Sequence, residues 1–125
     1  MNEELIMLDT NIVIYALNNN ANVYSFVNRK KLVVTFVTEI ELLGWNGITP
    51  NDKELLELFL QECLYVDYNK QIRQRTIDVK SSYNLKLGDA FIAAAAIEFD
   101  IHLISADKVF KRVKELTFTH ITPSK

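Results

Sequence analysis

The chain has 125 residues, 49% of them apolar, with a single cysteine and a formal net charge of −2. That length fits one compact domain over residues 1–125, and a lone Cys63 excludes an internal disulfide. The near-neutral balance does not announce a bulk polyanion binder. The longest apolar run, Ala90 to Ile97, is too short to span a bilayer. The opening Met-Asn-Glu-Glu lacks the basic leader of an exported protein, so a cytoplasmic protein with no membrane partner is expected.

In chain order, Leu5 to Leu8 reads as a short buried strand, and from Thr10 the pattern turns helical until Asn18-Asn19-Asn20. A second helix is predicted over Ala21 to Asn28, closed by Arg29-Lys30-Lys31. Leu32 to Phe36 is a β-branched-rich strand, and Thr38 to Trp45 reads as a helix that Gly47 helps to end. Thr49-Pro50-Asn51-Asp52 is a helix start with proline at the first helical position, and Leu55, Leu56, Phe59 and Leu60 form its apolar face. Leu64 to Val66 is a third strand. Lys70 to Tyr83 is an amphipathic helix with Ile72, Ile77 (or Thr76) and Val79 turned inward. Asp89 opens a helix to Phe99 that is apolar almost all round and so belongs in the core. His102 to Ile104 is a fourth strand, Val109 and Phe110 sit in a short helix, and Phe118 to Ile121 is a last edge strand.

This alternation predicts an α/β sandwich with a mostly parallel sheet, in which ligands bind at the carboxyl ends of the strands. Charge is uneven along it. Residues 1–67 carry four basic and ten acidic side chains, net −6, whereas residues 68–125 carry ten and six, net +4. The second half could face a polyanion or could simply present solvated helix faces.

Four acids fall at the same kind of place. Asp9 follows the first strand, and Glu41 lies in the first turn of the helix after the second. Asp89 opens the buried helix, and Asp107 follows the fourth strand just after Ser105. In a parallel sandwich those points share one edge of the sheet. Singly, each has a structural explanation. Thr38-Glu39-Ile40-Glu41 is a capping-box pattern, and Asp9, Asp89 and Asp107 suit helix N-termini. Jointly, converging carboxylates repel and raise one another's pKa. Capping does not require that convergence, but a divalent cation does. Mg²⁺ or Mn²⁺ prefers such hard oxygen donors, and an ion held there can activate water against a phosphodiester. His102 reads as a core histidine and His120 as isolated, so no histidine cluster points to zinc.

Three segments, MLDTNIVIYAL, TEIELL and LGDAFIAAAAIEFDIHLISADKVFKRV, occur in this order and span most of the chain. Together they resemble the PIN domain, in particular the VapC-like toxins of bacterial and archaeal toxin–antitoxin pairs. The resemblance implies a three-layer α/β/α sandwich with a mostly parallel central sheet of four to five strands. It also implies a metal-dependent endoribonuclease that uses Mg²⁺ or Mn²⁺, acts on RNA and is inhibited by a cognate antitoxin. Position by position, the family's acidic quartet falls on Asp9, Glu41, Asp89 and Asp107, as both metal-holding and catalytic residues. Asn11 and Ser105 stand where supporting residues orient the acids. Lys86, Lys108, Lys111 and Arg112 are candidates to meet RNA at the rim. The sequence departs from the family's usual pattern at Lys86-Leu87-Gly88 and at Ala106.

Leu42, Leu43, Trp45 and Phe59 read as core or as a homodimer seam, and a homodimer is expected. Two other functions are compatible with an acidic α/β domain. One is a phospho-acceptor receiver domain using Asp67 and Ser105, which would leave Glu41 and Asp89 without a role. The other is a non-catalytic binding module on the same fold.

Overall fold

The computed structural model describes residues 4–124. Residues 1–3, on which the leader argument rests, and residue 125 lie outside the described residues. Five strands form one sheet: β1 (Leu5–Leu8), β2 (Lys31–Thr35), β3 (Leu64–Val66), β4 (His102–Ser105) and β5 (Phe118–His120). Their order is β3-β2-β1-β4-β5, and every neighbouring pair is parallel. The crossovers carry α1 (Thr10–Leu17), α2 (Ala21–Val27), α3 (Phe36–Leu43), α4 (Pro50–Glu62), α5 (Lys70–Tyr83) and α6 (Leu87–Glu98). A short 3₁₀ turn, Lys108–Arg112, leads toward β5. No helix among the described residues is long and apolar enough to cross a membrane.

Side chains alternate across the sheet with a period of two, and this makes two cores. Met7, Val33 and Leu103 face a cluster built with α5 and α6. Ile6, Leu8, Val34 and Ile104 face a second cluster with residues from α1, α2, α3 and α4. The molecule is therefore a three-layer sandwich, as expected. In α6 every residue from Ala90 to Ala96 is buried. Its alanines add little bulk, so the helix can lie close against α5 and the sheet. Phe91 meets Phe36 edge to face at 4.7 Å, tying α6 to the start of α3.

The element starts differ from the sequence reading in ways that move functional side chains. Thr35 ends β2, and its hydroxyl accepts the Thr38 amide at 3.4 Å, so α3 begins at Phe36. The helix thus starts two residues earlier than expected. Glu41 lies in its second turn, and the Thr38–Glu41 capping box does not form. Similarly, α6 begins at Leu87, because the Ala90 amide reaches back to the Lys86 carbonyl at 2.9 Å. Asp89 is then its third residue and not its cap.

On α5 the inward position is Thr76, whose hydroxyl is satisfied by the Ile72 carbonyl at 2.7 Å, while Ile77 is 53% exposed. Of the residues expected in a core or seam, Leu42 is buried, Leu43 and Phe59 are half-buried, and Trp45 is 61% exposed. His102, read from the sequence as a core histidine, is only half-buried and shares a 2.7 Å hydrogen bond with Thr119.

The C-terminal segment is laced to the start of α2. Asn20 both caps α2 and clasps the Ser124 backbone, donating to its carbonyl at 3.0 Å and accepting its amide at 3.1 Å. Asn22 donates to the Thr122 carbonyl at 2.7 Å.

Candidate functional site

One residue separates β1 from α1, and it is Asp9. The position makes it the N-cap of α1, where Oδ1 accepts the Ile12 amide at 3.1 Å. Its second oxygen accepts the hydroxyl proton of Ser105, at the end of the adjacent strand β4. Asp9 is 6% exposed and Ser105 fully buried. Burial pushes the Asp9 carboxyl up to about 6. The two hydrogen bonds oppose that rise, while the charges of Asp89 and Asp107 add to it.

The other three acids reach the same edge from different elements. Asp107 follows β4, is exposed, and accepts the Val109 amide at 2.9 Å, so it caps the 3₁₀ turn. Its own amide donates to Ser105 Oγ at 2.9 Å. Asp89, in the first turn of α6, is half-buried. Burial raises its pKa first, then the charges of Asp107 and Glu41, with Lys86 pulling the other way. Glu41 is exposed on α3, where its Oε1 accepts the Thr10 hydroxyl at 2.5 Å. Gly88 lets these helices approach: a Cβ there would stand 3.3 Å from Val37 Cγ1 and 3.7 Å from Glu41 Oε2.

Capping and convergence are therefore not exclusive. Asp9 and Asp107 cap, Glu41 and Asp89 do not, and all four belong to one electrostatically coupled group. Among the described residues, no three Asp, Glu, His or Cys side chains come close enough together to hold one ion between them directly.

The bonds that orient Asp9 come from Ile12 and Ser105, while Asn11 is exposed on α1. Thr10, which the sequence reading passed over, is the residue that fixes Glu41. Its signal lay in the sequence: a hydroxyl next to an acid at a strand-to-helix turn. Lys86 stands exposed at the N-cap of α6 beside Asp89. Lys108, Lys111 and Arg112 are exposed on the 3₁₀ turn directly after Asp107, with Arg112 also reaching the Asn84 carbonyl at 3.5 Å. Asp67 follows the edge strand β3, with β2 between it and β1, and accepts the Tyr68 amide at 2.7 Å. That placement does not bring it to Asp9 as a receiver-type acceptor requires.

An all-parallel sandwich with a buried, strand-ending acid bonded to a serine on the neighbouring strand defines an α/β domain whose polar site lies at the carboxyl edge of its sheet. The chain belongs to the PIN domain family, whose model matches residues 6–116. No curated protein matches the sequence.

Several solved structures share the fold. A chain of the VapBC2 crystal structure from Rickettsia felis, bound to a DNA fragment from their promoter, superposes with a TM-score of 0.81 at 19% identity. The match covers 94% of this chain and 99% of that one. VapBC-1 from nontypeable Haemophilus influenzae gives 0.77 at 25% identity, covering 93% and 97%. A toxin–antitoxin complex from Klebsiella pneumoniae gives 0.78 at 19%, covering 89% and 94%.

Proposed function

We infer that this chain is a metal-dependent endoribonuclease, the toxin of a toxin–antitoxin pair. The observation that carries the reading is the buried Asp9, with its carboxyl pushed up to about 6 and three further acids reaching the same sheet edge. A cluster of carboxylates that destabilise one another has a physical purpose when a cation neutralises them. The donors fit Mg²⁺ or Mn²⁺: all are hard carboxylate or hydroxyl oxygens. Mg²⁺ keeps several of its waters, and through them further carboxylates can hold it. Asp9, Glu41, Asp89 and Asp107 are the residues that would hold it. An ion held there would lower the pKa of a water and offset charge on a phosphodiester.

The chain's own groups prepare that chemistry. Ser105 and the Ile12 amide fix the Asp9 carboxylate, and Thr10 fixes Glu41. Lys86, Lys108, Lys111 and Arg112 offset the repulsion an acidic edge exerts on RNA phosphates. The decisive experiment is cleavage of a mixed RNA substrate with and without Mg²⁺ or Mn²⁺. Wild type is expected to need the metal, and Asp9→Asn or Asp89→Asn to lose about 100-fold or more. Undiminished cleavage by a folded Asp9→Asn variant overturns the assignment. Metal uptake with no cleavage of varied RNAs would instead support a non-catalytic binding module.

Partners follow from the same reading. The solved neighbours include toxin–antitoxin complexes, which supports a protein inhibitor for this chain. A homodimer is supported by an open apolar groove of about 430 Å³ between α3, α5 and α6, rimmed by exposed Ile40, Tyr68, Ile77 and Leu87. Exposed apolar surface gathered in this way marks a protein contact. Light scattering on wild type and Ile77→Asp tests it: a dimer that becomes a monomer is the expected outcome.

A further inference from the structure

The acidic edge is also held from a segment beyond the family match, which ends at residue 116. In β5, His120 stands opposite Ser105 in the register with β4. Its Nε2 lies 3.0 Å from the Ala106 carbonyl oxygen. A carbonyl oxygen only accepts, so this ring nitrogen carries the proton and donates. The next residue, Ile121, donates its amide to the Ser105 carbonyl at 2.9 Å.

The Ala106 carbonyl and the Asp107 N–H belong to one rigid, planar peptide unit, whose two ends point in opposite directions. His120 holds the carbonyl end. The N–H end donates to Ser105 Oγ at 2.9 Å, and the Ser105 hydroxyl donates in turn to Asp9. A continuous hydrogen-bonded chain therefore runs from His120 through the 106–107 peptide and Ser105 to Asp9. Each link polarises the next in such a chain. The far side of the segment is secured by Asn20 and Asn22 on the backbone of Ser124 and Thr122.

We propose that His120 is a positioning residue for the acidic site, setting the peptide that aims Ser105 at Asp9 and carries Asp107. This rests on the metal-nuclease reading, so its test separates the two. Mn²⁺ binding is measured by calorimetry, well below the unfolding midpoint, for wild type, His120→Ala and His120→Gln. The Gln side chain can return an N–H near the place of Nε2. Hydrogen exchange at the Asp107 amide is followed by NMR in the same proteins.

His120→Ala is expected to bind Mn²⁺ about 10-fold more weakly and to exchange the Asp107 amide faster. His120→Gln is expected to restore both. If His120→Ala does not fold, His120→Phe keeps the ring's bulk without its N–H and takes its place. Wild-type affinity in the folded Ala or Phe variant overturns the proposal, whatever its exchange rate. If wild type takes up no Mn²⁺, the metal reading fails, and the exchange measurement alone decides whether His120 orders this edge: an unchanged rate overturns that role.

Discussion

Asp9 shows how one residue carries opposing demands. Its backbone position makes it a cap, and its burial makes its charge costly. The fold favours the neutral acid, with the carboxyl raised from 3.8 to about 6. In metal-free protein its contribution to stability is therefore full below the unfolded value, fades as pH rises, and is lost above about 6. Asp9→Asn removes that titration. The metal-free variant is expected to be more stable than wild type at pH 7.5 by on the order of 2 kcal/mol, with the gap closing as pH falls toward 4. Thermal melts across that pH range check it. Thr10 makes a different case, because its bond to Glu41 is exposed and worth little to stability. Thr10→Val should leave the melting temperature within a degree or two but lower RNA cleavage by roughly 10-fold, comparable to losing a residue that orients a ligand.

At the scale of elements, the strands and the buried helix were legible in the sequence because their signals are local. Leu5–Leu8 and Leu64–Val66 are short apolar runs, and Ala90–Ala96 is apolar on every face. The starts of α3 and α6 were not legible. Phe36 and Val37 have strand-forming side chains, and only the end of β2 pairing at Thr35↔Val66, with Thr35 turning to cap, makes them helical. That shift of two residues released Glu41 from a capping role and left it free to meet Thr10. Ile77 is the more apolar choice for the inward position of α5, with Thr76 the alternative, because a hydroxyl looks polar until the Ile72 carbonyl one turn earlier accepts its proton. The end of α5 offers a clean measurement. Asn84 closes it in the left-handed region, with φ of 54°. Asn tolerates that conformation and a β-branched residue does not, so Asn84→Val should lose about 1–2 kcal/mol in urea unfolding. Packing sets another limit. Ala94 is fully buried in α6, so Ala94→Val should cost about 1–3 kcal/mol by overpacking.

At the scale of the molecule, the sheet order β3-β2-β1-β4-β5 sets β1 at the centre with β4 beside it. No local pattern reveals that neighbour, yet it joins Asp9 to Ser105. If the acidic edge takes up the proposed metal, the stability of the fold should respond to it. With Mn²⁺ at about 100 times its dissociation constant, stability should rise by about 2.7 kcal/mol, and Asp89→Asn should lose most of that gain in a thermal-shift titration.

The pairing of β1 with β4 also sets a timetable. Asp9 and Ser105 are 96 positions apart, and the His120 bond that steadies their link comes later still. During synthesis the N-terminal half emerges with its first acid but without the strand that completes the edge. The edge is therefore assembled only once β4 and β5 have been made, and a chain that stops before β4 has no assembled centre.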